Sequence, residues 1–169
     1  MKLTSAAANK MLKKLESEKD YYLQIEQDAG TYVAAADETP VVPEFDFDKN
    51  CDAIHEIDLK MLKIKHAINL SNATARIDVS GHTMSVDEIL VRMAQLSRRQ
   101  LIYDEMRKQQ PKMRVNSMST RNIKPEYRYI NYDLSKAKQR YEETSDEVTR
   151  LQLALDKYNQ TFEFEIEGL

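Results

Sequence analysis

The sequence predicts a mainly α-helical protein, built of long antiparallel helices as in a helical bundle or coiled coil, with one short β-hairpin. Its 169 residues include 3 glycines and 4 prolines, too few turn-forming residues for a many-stranded β protein. Charged residues make up 31 % and separate apolar residues that recur every three or four positions, as on one face of a helix. The length predicts one helical domain over 1–169, and the composition disfavours a sandwich, a barrel or a glycine-rich nucleotide-binding fold.

The first half of the chain predicts two helices. Residues 2–26 carry apolar side chains at helical spacing, and the period is lost in 27–45, which contains Gly30 and two prolines and is predicted to be a connector. A second helix is predicted over 47–74. Its apolar residues are spaced alternately three and four apart, the pattern by which two helices share a straight seam. These seam residues are Ile54, Ile57, Met61, Ile64 and Ile68.

The second half predicts a hairpin and two further helices. Residues 76–84 alternate apolar and polar side chains around a Ser-Gly turn, which is typical of a β-hairpin. Ser85 and Glu88 fit a capping box at the start of a third helix over 86–109. A long basic loop follows over 110–132, with a candidate strand at 127–130. The fourth helix, over 134–162, shows a nearly unbroken heptad pattern.

The apolar surface of these helices exceeds what one chain of this length is expected to bury. Leu153, for example, lies away from the main apolar stripe of the fourth helix. We therefore expect a homo-oligomer, in which the chain is its own partner. The alternative is a monomeric four-helix bundle with ordinary exposed apolar residues.

A polar cluster interrupts the apolar seam of the second helix. The heptad pattern predicts an apolar residue at 71 or 72, where the chain has Ser71 and Asn72. Such groups either end the helix and fix the hairpin, or bind a ligand, with a nearby arginine holding a carboxylate or phosphate. The candidate ligand-binding residues here are Asn69, Asn72, Thr74, Arg76, His82 and Thr83.

A basic segment lies in the second half of this acidic protein. Residues 98–128 contain nine basic and three acidic side chains, whereas the whole chain has a net charge of −3. A positive zone of this kind binds phosphates or the acidic surface of a neighbouring subunit. Three tyrosines at 127, 129 and 132 offer rings that either stack on a base or anchor the loop. The candidate ligand-neutralising residues are Arg121, Lys124 and Arg128.

Catalytic and metal-binding signals are weak. Cys51 lies near the start of the second helix, where the helix dipole can lower a thiol pKa, and His55 follows one turn later. No oxyanion-hole motif accompanies this pair, and His55 and His66 are too far apart to share an ion on one helix. We therefore predict no enzymatic activity, no catalytic residues, no cofactor and no metal.

The chain is predicted to be cytoplasmic, with neither a membrane nor a long nucleic acid as its partner. Its longest apolar stretch, 32–36, is far shorter than the roughly 20 residues of a membrane-spanning helix. A single cysteine indicates a reducing compartment. The negative net charge and the absence of a nucleic-acid-binding motif argue against long DNA or RNA.

Four segments resemble the septicolysin-like family of uncharacterised bacterial and phage-associated helical proteins: Met1–Leu3, Ile68–Asn72, Gly81–Ser85 and Leu155–Thr161. The resemblance implies a helical fold that assembles into a ring-like or bundled homo-oligomer, without established enzymatic activity. The family name also suggests membrane lysis, an outside alternative that the regularly charged helix faces do not favour.

Together these observations predict a non-enzymatic, homo-oligomeric binding protein that holds or sequesters a small anionic, nucleotide-like ligand in a polar pocket between subunits. The alternative is a structural or interaction scaffold without a small ligand. In the scaffold, the polar cluster serves only to end the helix.

Overall fold

The computed structural model describes residues 1–115 and 125–168, and in these residues it contains four long helices and six short strands. The helices are α1 (Ser5–Ala29), α2 (Phe47–Thr74), α3 (Val86–Arg107) and α4 (Leu134–Thr161). The strands are β1 (Lys2–Thr4), β2 (Arg76–Val79), β3 (His82–Ser85), β4 (Lys112–Arg114), β5 (Tyr127–Tyr129) and β6 (Glu163–Glu165). They form antiparallel pairs β1–β6, β2–β3 and β4–β5. The four helices and the β2–β3 pair confirm the predicted mainly α fold with a short hairpin near 76–84.

The chain divides into two compact units. The first comprises Met1–Ala75 and Asp156–Leu169, and the second comprises Arg76–Leu155. The chain therefore passes between them twice, at the start of β2 and within α4.

The first unit is built on the antiparallel pair α1 and α2. The Lys19 ammonium lies 2.7 Å from the Asp58 carboxylate, and the Asn50 side chain donates a hydrogen bond to the Tyr22 carbonyl. Residues later in α1 thus meet residues earlier in α2. The buried apolar cluster between these helices and β6 comprises Ala8, Leu12, Leu15, Ile57, Ile64 and Ile166.

The second unit holds α3 antiparallel to α4. The Arg92 guanidinium donates to the Glu147 carboxylate at 2.8 Å, and near the other end of α3 the Arg107 guanidinium lies 4.0 Å from the centre of the Tyr141 ring. The buried apolar residues here are Val86, Ile89, Leu96, Ala137, Leu151 and Leu155. Leu151 and Leu155 belong to the predicted seam of the fourth helix, and their burial confirms that part of it.

The predicted start of the first helix is wrong, and the predicted basic loop contains more structure than expected. Residues 2–4 form β1 instead of the first turn of a helix, because Leu3 pairs with Phe164 of β6, a distant contact that local periodicity does not show. α1 ends at Ala29 with Gly30 as its C-cap, as the loss of period at Gly30 predicts, and α3 and α4 end at Arg107 and Thr161, within two residues of the predicted ends. The predicted basic loop 110–132 contains β4 and β5, of which only β5 was expected.

Candidate functional site

The polar cluster at the end of α2 is held by hydrogen bonds within the chain. The hydroxyls of Ser71 and Tyr158 lie 2.5 Å apart, and both residues are buried. Thr74 is exposed and donates its hydroxyl to the Leu70 carbonyl at 2.8 Å. Asn69 is also exposed, whereas Asn72 is half-buried. The polar residue that breaks the seam therefore has a protein partner, as expected of a buried hydroxyl.

Arg76 has a protein partner as well. Its guanidinium lies 3.1 Å from the Glu88 carboxylate, which also accepts a 2.6 Å hydrogen bond from the Ser85 amide. The Ser85 hydroxyl accepts from the Glu88 amide, so the predicted capping box is confirmed. The hydrogen bonds from Ser85, followed by the charge of Arg76, lower the pKa of Glu88. Arg76 thus strengthens the start of α3.

His82 borders a pocket in the second unit. The turn of the β2–β3 hairpin has positive φ at Ser80 (55°) and Gly81 (87°), which a serine tolerates less readily than a glycine. Beside it lies a cavity of about 360 Å³ lined in part by His82, Arg92 and Arg150. Within the described part of the chain, Glu147 is the one carboxylate in this lining. Thr83 is exposed but does not line the cavity.

The β4–β5 pair forms a ribbon with a basic, aromatic face. Lys112 pairs with Tyr129, and Arg114 pairs with Tyr127. Paired residues, and alternate residues of one strand, share a face of a β-ribbon, so these four side chains lie together. All four are exposed. We call them the basic aromatic face.

The geometry within the basic aromatic face confirms this arrangement. The Lys112 ammonium lies 4.1 Å from the centre of the Tyr127 ring and 5.6 Å from that of Tyr129. The two ring centres are 6.5 Å apart. Backbone hydrogen bonds from Val115 to Glu126 and from Ile130 to Pro111 extend the ribbon at both ends.

The predicted ligand-neutralising residues do not lie on the basic aromatic face. Arg128 pairs with Met113 and therefore projects from the opposite face of the ribbon. Arg121 and Lys124 lie outside the described residues. Lys112 and Arg114 belong to the basic segment 98–128 but are not among the predicted site residues. Their signal in the sequence is alternation: in 112–114 the two basic residues are separated by one position, and in 127–129 the two tyrosines are separated in the same way.

A larger cavity, of about 500 Å³, lies in the first unit between the end of α2 and β6. Apolar residues Leu70, Phe162 and Phe164 form part of its wall. The charged residues that line it are mainly acidic: three glutamates lie within 163–167, and Lys63 is the one lysine among the described lining residues. An anion is therefore disfavoured here, although Ser71 and Thr74 of the predicted cluster border this cavity.

Cys51 does not have the low pKa expected at a helix start. The thiol is half-buried, and desolvation, followed by the negative charges of Glu26, Asp48 and Asp52, raises its pKa. A raised pKa disfavours the nucleophilic thiolate at neutral pH.

Among residues 1–115 and 125–168, no cluster of three metal-ligating side chains is found. None of the helices described is both long enough and apolar enough to cross a membrane.

No family model and no curated protein matches the chain. A solved structure does: the crystal structure of a functionally unknown conserved protein from Corynebacterium diphtheriae has a TM-score of 0.65, with 15 % sequence identity over 98 % of this chain and 100 % of the other. At this identity the similarity concerns the fold alone. The resemblance to the septicolysin-like family stays a prediction.

Proposed function

We propose that this protein is a non-enzymatic, self-associating helical protein that binds a small anionic, nucleotide-like ligand. The observation that carries the proposal is the basic aromatic face, with two cations and two tyrosine rings exposed on one side of a ribbon. Lys112 and Arg114 supply positive charge for phosphate oxygens, and the arginine can donate two parallel hydrogen bonds. Tyr127 and Tyr129 supply flat surfaces for a base.

The chemistry of the ligand follows from the size and charge of this face. Two rings with centres 6.5 Å apart suit one or two bases rather than a long strand. The net charge of −3 disfavours the long-range attraction that polymeric nucleic acids require. Binding without turnover lowers the free concentration of the ligand, so the protein acts by sequestration. We place it in the cytoplasm, where a single unpaired cysteine stays reduced.

Calorimetry against mononucleotides, linear dinucleotides and cyclic dinucleotides tests the proposal. We expect at least one of them to bind, and Arg114→Ala and Tyr127→Leu each to weaken its binding by about tenfold or more. Arg128→Ala is the matched control, because Arg128 lies on the opposite face of the same ribbon and its removal should change affinity less than twofold. The proposal fails if no compound binds at high micromolar concentration, or if Arg128→Ala has the larger effect.

Native mass spectrometry adds an independent readout. Protein purified gently from its expression host should give the mass of an oligomer. A retained ligand adds mass that disappears on denaturation and identifies the compound by weight. A monomer at micromolar concentration contradicts the self-association part of the proposal.

A second candidate function is a helical interaction scaffold without a small ligand. The observation that favours it is the internal pairing of the predicted site residues: Ser71 with Tyr158, Thr74 with Leu70, and Arg76 with Glu88. The scaffold predicts that Arg76→Ala lowers the melting temperature and leaves the binding of any nucleotide unchanged. Loss of binding in a variant that still folds contradicts the scaffold.

A further inference from the structure

We propose that α2 binds the α2 of a second copy of this chain, in antiparallel orientation. This inference names the interface for the self-association proposed above and rests on that part of the proposed function. Its basis is the outer face of α2, which we define as a set of exposed residues spaced alternately three and four apart. The set comprises Asp52, His55, Leu59, Leu62, His66, Asn69 and Ala73.

The outer face is distinct from the core face of the same helix. Ile57 and Ile64, which pack against α1, are at most 3 % exposed, whereas Leu59 is 40 % and Leu62 is 64 % exposed. Leu70 borders the outer face and is 57 % exposed. A soluble helix typically has one apolar stripe, so the exposed leucines at 59, 62 and 70, on a face away from the core, indicate a second helical neighbour.

Antiparallel pairing places the two leucines together. If Leu59 of one copy lies opposite Leu62 of the other, the two-fold axis passes between residues 60 and 61. Leu62 then meets the second copy's Leu59, and four leucines form a central apolar layer. His55 meets His66 on both sides of that layer. The imidazole rings, which have both apolar and polar surface, lengthen the contact on either side of the leucines.

The charges that flank the outer face identify the partner as a second copy. In this register Glu56 of one helix lies within one helical turn of Lys63 of the other helix. Asp58 lies within one helical turn of Lys65 of the other helix. The two-fold axis repeats both contacts, so four flanking pairs have opposite charges. All four residues are exposed, and Asp58 keeps its ion pair with Lys19. Flanking charges of this kind set the orientation of paired helices more than their affinity.

A parallel pair has fewer such contacts. In a parallel pair of heptad helices, a residue flanking one edge of the seam faces the residue five positions further along on the other edge of the partner helix. Asp58 then faces Lys63, and the two-fold axis repeats this contact, but Glu56 and Lys65 face the uncharged Cys51 and Leu70. The parallel pair thus has two flanking pairs of opposite charge, whereas the antiparallel pair has four. The pattern of α2 therefore favours the antiparallel arrangement.

Sedimentation equilibrium of point variants tests the interface. Leu62→Glu should weaken dimerisation by at least roughly 100-fold, because the two-fold axis removes two buried leucines and adds two charges. Leu101→Glu is the matched control, since Leu101 is 69 % exposed on α3. Circular dichroism checks that both variants remain folded. If Leu62→Glu dimerises like the wild type, or if Leu101→Glu alone dissociates, the α2 interface is wrong, whereas a monomeric wild type contradicts self-association itself.

Charge reversal and cross-linking test the orientation. Glu56→Lys or Lys63→Glu alone should weaken the dimer, and the two changes together should restore it. In a Cys51→Ser background, mixing Leu59→Cys with Leu62→Cys protein should give mixed disulfide dimers faster than either variant alone. Faster disulfide formation by the single variants indicates a parallel pair and overturns the proposed orientation.

Discussion

The hydroxyl oxygens of Ser71 and Tyr158 lie 2.5 Å apart, joining α2 to α4 across 87 positions of the chain. The two residues are 6 % and 5 % exposed, so water does not replace this hydrogen bond. A polar residue that interrupts an apolar seam here serves as a cross-link between two helices of the first unit. The polar cluster therefore has a structural role whether or not the protein binds a ligand.

This pairing predicts unequal effects of single and double substitutions. Tyr158→Phe and Ser71→Ala each leave a buried hydroxyl without its partner, and each should lower the free energy of unfolding by about 1–3 kcal/mol. The double variant should lose less than the sum of the two, because both polar groups are then absent. Urea denaturation monitored by circular dichroism measures all three values. Additive losses contradict a direct interaction.

The capping box of α3 predicts a pH-dependent contribution to stability. The hydrogen bonds from Ser85 lower the pKa of Glu88 from its ordinary value of 4.5, so the folded state favours the ionised carboxylate. The stabilisation from ionised Glu88 is therefore fully present at neutral pH. It is lost as the pH falls below the ordinary pKa of a glutamate towards the lowered pKa that Glu88 has in the folded state. Glu88→Gln removes the charge and keeps the side-chain shape.

Urea denaturation of wild type and Glu88→Gln between about pH 7 and pH 3 tests this dependence. The wild type should be more stable at neutral pH, and the difference should shrink as the pH falls. Glu105→Gln on the same helix is the control, since Glu105 is exposed and has no part in the box. A difference that grows in acid contradicts the sign derived from Glu88.

The basic aromatic face predicts that ligand binding depends on salt. Lys112 and Arg114 are exposed, so added salt screens their attraction to phosphates. Affinity should fall as the salt concentration rises from about 0.05 M to 0.5 M, and the dependence should be weaker in Arg114→Ala. Calorimetry with the tightest nucleotide of the panel measures both slopes. Equal slopes in the two proteins exclude Arg114 from the contact.

The environment of Cys51 predicts a slowly reacting thiol. Desolvation and the neighbouring carboxylates raise its pKa, so little thiolate is present at neutral pH. Alkylation by iodoacetamide at about pH 7 should be slower than that of a free cysteine, and should accelerate as the pH rises. Cys51→Ser should retain all nucleotide binding. Rapid alkylation at neutral pH, or loss of binding in this variant, reopens a role for the thiol.

Much of the helical fold follows from sequence periodicity. The bounds of α2 match the prediction, and Ser85 with Glu88 fixed the start of α3 because capping depends on side chains only three residues apart. The β2–β3 hairpin is equally local, since its turn is set by Ser80 and Gly81. These features are determined within a few residues along the chain.

The candidate site was predicted less well, for a physical reason. Arg128 and Arg114 are both basic and exposed, but the register of β4 against β5 decides which of them shares a face with the tyrosines. Register depends on pairing between residues that are far apart in sequence, and a shift by one residue exchanges the two faces. Composition revealed the basic segment but not the basic aromatic face.

The sequence by itself determined the presence of the four helices, the capping box of α3 and the positive charge of 98–128, because these follow from local spacing and residue type. The tertiary structure alone decided that Leu3 joins a strand with Phe164, that Ser71 has Tyr158 as its partner, and that Leu62 remains exposed. Each of these depends on which distant segments pack together. Burial and hydrogen bonding are set by such neighbours, and a periodic pattern does not specify them.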